Sequence, residues 1–297
     1  MEIPDACGKY HFMKHIKTLI TILFMSLLSS PSWCEPLPFD ELVIREHLFY
    51  KKFTNSPFTG EVSGEWFGKL EKGKRNGEWL AFEKNGQLLY QFNYKNGLPD
   101  GLWKSFYKGG RLKSEGYFKK GQRIGNSKTY YLNGKLEISS SHENGKFEGL
   151  YESYRGNGLL KETGTYKNNI KIGIWGEYYE GGQLERAIKY SSEGSEVLFK
   201  LYHENGQLSA RLNMKNGKED GPFEFYHENG QLLVKGVKKN GDWVDGIVSM
   251  YHENGQLSVQ GKIKNREEDG PFRLYYENGQ LSSQGMNKNG SMEGIWE

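Results

Sequence analysis

The chain has 297 residues; 36% are hydrophobic, 39 are Gly, and Trp, Tyr and Phe number 7, 19 and 16. That composition is too poor in aliphatic residues for a thick core and favours strands and tight turns. The net charge of +3, with acids and bases mixed throughout, excludes a charged nucleic-acid arm.

The first element is apolar. Lys14 and Lys17 precede LITILFMSLL at residues 19–28, and SSPSWC follows. A basic stretch, a ten-residue apolar stretch and small polar residues make a secretory signal over residues 1–34, with Met13 as an alternative start. Ten apolar residues are too few to cross a bilayer. Cleavage fits after Ser32 or after Cys34. Trp33 stands where a lipobox needs a small residue, which argues against a lipid anchor on Cys34. The expected location is therefore the periplasm, cell envelope or exterior. Cys7 and Cys34 are the only cysteines, so the mature chain forms no internal disulfide and no cysteine metal cluster.

Residues 35–76 read as an N-terminal cap with a degenerate first hairpin. Residues 77–297 then repeat. Units begin at Gly77, Gly101, Gly125, Gly149, Gly173, Val197, Gly221, Gly246 and Gly270, spaced by 24 residues except for one step of 25. Gly294-Ile295-Trp296 begins a truncated tenth unit. Three columns are invariant across the nine units: an aromatic five residues on, glycine nine on and leucine eleven on. Tyr202, Gly206 and Leu208 are one example; Tyr226, Gly230, Leu232 and Tyr251, Gly255, Leu257 are others.

This spacing predicts a β-hairpin. A two-residue loop on Asn-Gly would place the aromatic and the leucine on opposite faces. A three-residue loop, Glu204-Asn205-Gly206, with Gly206 left-handed in a bulge, pairs Tyr202 with Leu208 instead, and this register is expected. Polar stretches such as KNGKEDG at residues 215–221 and KNGLPDG at 95–101 read as the loops between hairpins. The fold class is all-β: an elongated meander of antiparallel hairpins in one twisted sheet with a 24-residue period, each hairpin stabilised by its neighbours.

The pattern Gly-x-Trp/Phe-x-x-Tyr-x-x-Asn-Gly-x-Leu, followed by Tyr-Lys-Asn-Gly as at residues 94–97, resembles the MORN-repeat family and its bacterial variant. SPFTGEV resembles the lead-in of bacterial members. The resemblance implies a twisted hairpin sheet used for protein or membrane-lipid contacts, and some bacterial relatives carry an antitoxin label. Ser127, Val197, Val248 and SSEGSEV depart from the pattern.

Two columns invite a metal. His203, His227 and His252 recur at one position, but hairpins two strand spacings apart hold them about 9.6 Å from each other, too far to share zinc. Asp220-Gly221, Asp245-Gly246 and Asp269-Gly270 offer too few oxygens for calcium and suit turns. No motif of hydrolase, zinc-protease or phosphate-loop type is present, and His47 and His142 lack a catalytic partner in sequence, so no enzyme activity, cofactor or metal is expected. A single-layer sheet cannot hide rings on both faces. The ring column two residues into each unit, Trp79, Trp103, Tyr151, Trp175, Phe199, Phe223 and Phe272, is the candidate partner surface. The expected function is an exported, non-enzymatic scaffold for a protein partner. A cell-envelope module for lipid or glycan and an immunity protein neutralising a toxin are the alternatives; no nucleic acid is implied.

Overall fold

The computed structural model describes residues 35–293. The expected signal segment and the start of the tenth unit lie outside the described residues. Among these there is no α-helix, only strands, turns and one short 3-10 turn at Phe39–Glu41. The described residues divide into two compact units, 35–122 and 123–293.

In the first unit, the strand Leu37–Pro38 pairs in parallel with Gly60–Ser63, and a separate hairpin joins Leu42–Arg45 to Leu48–Lys51. An antiparallel meander follows through Trp66–Glu71, Lys74–Phe82, Leu88–Lys95, Leu98–Phe106 and Leu112–Lys119. Val62, Leu70 and Trp79 are buried together, with Phe39, Leu42, Phe49, Phe58, Trp66 and Tyr94 packed around them. The cap thus covers the first ring of the repeat with apolar surface and blunts an edge with Pro38.

The second unit continues the same hairpins. The long outgoing strands Lys146–Tyr154, Ile170–Tyr178 and Lys218–Tyr226 alternate with return strands such as Leu160–Lys167, Leu184–Tyr190 and Leu232–Lys239. Every aromatic–leucine pair predicted from the spacing forms: Tyr202 opposite Leu208, Tyr226 opposite Leu232, Tyr251 opposite Leu257, and likewise in the other units. At each loop one N–H bond closes the end, as His203 N to Gln207 O at 2.8 Å, and Gly206 N donates to His203 O at 2.8 Å. Gly206 has φ 86°, a left-handed conformation available to glycine without steric cost. The Asn before it is also explained: Asn205 Oδ1 accepts from Gln207 N at 2.9 Å.

The other end of the hairpin is tighter than the sequence suggested. Lys95 pairs directly with Leu98 around Asn96 (φ 52°) and Gly97 (φ 86°), a two-residue primed turn. KNGKEDG and KNGLPDG are therefore not loops; only their Asn-Gly pairs turn, and the residues after them already belong to Lys218–Tyr226 and Leu98–Phe106. The polar residues misled because they sit in a bulge. Between the pairs Leu212–Phe223 and Met214–Glu219, one strand supplies Asn213 and the other supplies Asp220, Gly221 and Pro222. Two extra residues on the outgoing strand bend it.

The irregular units follow the same physics. Before Val197 the turn SSEGS adopts the three-residue form, with Ser191 N bonded to Ser195 O at 2.7 Å, and Tyr190 pairs with Glu196. Val197 is the single extra residue between the pairs Lys189–Leu198 and Tyr190–Glu196, and since its φ is not positive no glycine is needed there. The 25-residue step falls between Asp242–Trp243 and Gly246–Tyr251, where the strand is interrupted.

Candidate functional site

The ring column singled out from the sequence is inside. Trp79 is 0% exposed, Trp175 is 1%, and Trp103 and Phe223 are also buried; Tyr151, Phe199 and Phe272 are half-buried. As an exposed row for a partner, Trp79, Trp103, Trp175 and Phe223 are corrected. Trp79 and Trp175 each lie across a glycine of the preceding strand at the bulge, Gly68 and Gly164, Phe223 faces Gly236 of the following strand, and Phe199 sits between Ile188 and Leu212. A Cβ built on Gly68 would meet the Trp79 ring at 2.4 Å, and one on Gly164 would meet Trp175 at 2.2 Å. The Trp Nε1 groups donate to backbone carbonyls beside the bulge, Trp79 to Lys69 O and Trp175 to Thr165 O, both at 3.1 Å. Cations close the slot: Lys171 Nζ stands 4.0 Å from the Trp175 ring centre and pairs with Glu162 at 2.5 Å. Burial raises the Tyr151 and Tyr166 hydroxyls above their ordinary range, and raises Tyr190 to about 12 with help from Glu196. The signal missed in sequence is a glycine fifteen residues after the unit start, as at Gly116, Gly164 and Gly236.

The histidine column stitches neighbouring hairpins. His203 Nε2 donates to Tyr226 O at 3.0 Å, His227 to Tyr251 O at 2.9 Å and His252 to Tyr275 O at 2.8 Å. Since a carbonyl only accepts, Nε2 carries the hydrogen. The same place holds Tyr131, Arg155 and Tyr179, whose side chains donate to Tyr154 O, Tyr178 O and Tyr202 O at 2.7, 2.6 and 2.7 Å. His, Tyr and Arg interchange because each presents a donor at that reach. Asn205 and Asn229 add parallel bonds to Glu228 O and Glu253 O at 2.6 and 2.7 Å.

The acidic column performs the same task at the opposite end. Asp100 Oδ2 accepts from Lys120 N at 3.1 Å and Asp245 Oδ1 from Asn265 N at 2.8 Å, so each carboxylate anchors the next primed turn. That backbone hydrogen bond, aided by Lys119 and Lys95, holds the Asp100 carboxyl below its usual range.

Ser127, where the ring is missing, is joined to Ser140 Oγ at 3.0 Å and His142 Nδ1 at 3.3 Å. His142, which lacked a partner in sequence, thus has two serines beside it. Ser140 and His142 are buried, so this trio fills the slot that a ring fills elsewhere.

The face opposite the rings is open. Residues one, three and five into a unit share it by strand alternation, and Tyr226 Oη donates to Glu224 Oε2 at 2.9 Å across two positions. In the second unit it carries an apolar row with Leu150, Ile174 (70% exposed) and Ile247 (66%), a polar row with Glu152, Lys200 and Glu224, and the half-buried Tyr column. Successive hairpins repeat these rows every two strand spacings, about 9.6 Å. The Tyr and Leu of each cross-strand pair, such as Tyr202 and Leu208, are therefore both structural and partly presented.

Comparison with curated proteins gives no match. Among solved structures, a crystal structure of TcdB2-TccC3 is 10% identical over 78% of this chain, with a TM-score of 0.20; the chain spans 18% of that protein's length. A porin-like protein from Bacteroides uniformis is 11% identical over 82% of this chain and 91% of its own, with a TM-score of 0.15. Likenesses this faint carry no argument. The repeats themselves are decisive. The pattern of the MORN repeat variant matches residues 75–96, 99–120, 123–144, 196–216, 219–238, 244–265 and 268–289. The unmatched stretch between residues 144 and 196 folds into the same hairpins, with Tyr154 opposite Leu160 and Tyr178 opposite Leu184. With the matches covering half of its length, the chain belongs to the MORN repeat variant family.

Proposed function

We propose that the chain is an exported, non-enzymatic repeat scaffold that binds a protein partner along the open face of its hairpins. The observation that carries this is the pair of rows on that face: exposed Leu150, Ile174 and Ile247 beside the column from Tyr154 to Tyr275. Tyr is enriched at protein interfaces because it combines a large apolar body with a polar tip. The charged row between them supplies the polar complement that fixes orientation. Repetition lets several weak contacts act together, as extended repeat surfaces do. The apolar segment at residues 19–28 supports export.

The test is a pull-down from envelope fractions and medium with the parent chain and with Ile174→Asp/Ile247→Asp. A stoichiometric protein is expected with the parent and lost with the variant. Thermal stability should hold to within about 0.5 kcal/mol, since these side chains are exposed. Equal recovery by both chains would refute the reading. Sequencing the mature N-terminus tests export separately: a start at Trp33 or Glu35 is expected.

A further inference from the structure

Phe53 breaks a local rule with no internal reason to do so. The chain turns through Lys51, Lys52, Phe53 and Thr54, where Thr54 donates to Lys51 O from its backbone N at 3.2 Å and from Oγ1 at 2.8 Å. Phe53, third in this turn, has φ 62°. That position ordinarily takes glycine or asparagine, and a bulky ring there is strained. Such strain persists where packing or function compensates for it. Packing does not: Phe53 is 103% exposed, against 44% for Phe67, the next most exposed phenylalanine among the described residues.

The tip is also held. The Arg45 guanidinium lies 4.0 Å over the Tyr50 ring, donates to Thr54 O, and reaches Asn55 Oδ1 at 3.5 Å. Lys52 N donates to Glu41 O at 2.9 Å. A bare ring is thus presented on a fixed turn, with bases at its foot. Lys51 and Arg45 are exposed, and Lys52 meets Glu41 at 3.8 Å.

We propose that the Phe53 tip inserts its ring into the surface of a lipid bilayer bearing anionic headgroups, with Lys51, Lys52 and Arg45 against the phosphates. A protein pocket fits less well. The neighbouring Thr54, Asn55 and Ser56 are polar and exposed, so the contact is one ring wide, whereas a stable protein interface buries about 800 Å² per partner. A bilayer requires no matched surface. It takes a ring at the acyl boundary while lysine and arginine stems leave their charges among the headgroups. This site lies in the cap and is independent of the repeat face.

The test is cosedimentation of the full chain with vesicles of phosphatidylcholine, alone or mixed with phosphatidylglycerol. All variants carry the same N-terminal segment, so differences among them belong to the tip. The parent is expected to prefer the anionic vesicles. Phe53→Gly should weaken that binding about tenfold while the thermal midpoint holds or rises, because glycine adopts the turn without strain. Lys51→Gln with Lys52→Gln should weaken binding and flatten its salt dependence. Phe53→Trp should gain emission quenched by brominated lipid relative to the parent. Undiminished anionic-vesicle binding by Phe53→Gly, or equal parent binding to both vesicle types, would overturn the proposal. So would absence of vesicle binding together with loss of a protein partner on Phe53→Gly.

Discussion

Trp175 and Ser127 stand at the same position of units two periods apart, and the sheet accommodates them by opposite means. Trp175 lies across Gly164, where an added Cβ would come within 2.2 Å of its ring, and its indole N–H is taken by Thr165 O. Ser127 is too short to cross the strand; it faces Ser140, with His142 completing a small polar cluster against Phe147 at 4.7 Å between rings. The position is a slot to be filled, and the two strands that form it agree on how. A ring is met by glycine, a hydroxyl by another hydroxyl. The lesson is that this column reports packing, and binding must be sought on the other face.

Removing the ring should have the largest effect. Trp175→Ala leaves the slot empty over Gly164 and should cost about 3–5 kcal/mol, read as a lowered urea midpoint. Ser127→Ala, which leaves no ring-sized void, should cost far less. Equal losses would show that the two slots are not filled by different physics. Filling the slot from the other side comes next. Gly164→Ala keeps an accessible backbone but drives Cβ into the indole, for a loss of about 1–3 kcal/mol. Combined with Trp175→Ala it should cost less than the sum, because the clash needs both partners.

How far this was legible in the sequence differs between the two columns. The Tyr202–Leu208 pairing followed from counting residues across Glu204-Asn205-Gly206, since loop length fixes hairpin register. The odd offset between Trp175 and Tyr178 puts them on opposite faces. Which face is covered could not be read from alternation. The cover comes from a bulge that bends the outgoing strand, and the bulge is written in residues that look like loop, such as KEDG before Pro222. The partner glycine, Gly164, lies in a different strand. His203 was similarly opaque: its recurrence resembled a ligand column, but its partner is the backbone carbonyl of Tyr226, which no side-chain motif records.

That stitching gives a smaller test of the same distinction between structural and functional columns. His203→Ala removes the donor to Tyr226 O and should cost about 1 kcal/mol. His203→Tyr should restore most of it, because Tyr179 makes the same bond to Tyr202 O at 2.7 Å in the preceding unit. A column that bound a ligand through imidazole would not be rescued by tyrosine.

The least effect expected is one of pH, and its part nearest neutrality belongs to the polar slot. Burial, with the Arg123 charge adding to it, lowers the His142 pKa from its ordinary 6.5. Above 6.5 the imidazole is neutral in folded and unfolded chains, and the stability of this region is at its full value. As the pH falls through 6.5 the unfolded chain takes up the proton first, so stability declines until the folded imidazole is also protonated. The Asp100 carboxyl, held low by Lys120 N–H, acts in a lower window: its contribution is present above 3.8 and lost beneath it. Thermal midpoints measured downward from neutral pH should therefore show an early decline that His142→Asn removes. Trp175→Ala should leave that decline intact, since the groups around its slot, Lys171, Glu162 and the tyrosines, include no histidine. If His142→Asn retained the early decline, the proton would be binding elsewhere, and the polar slot would not be its source.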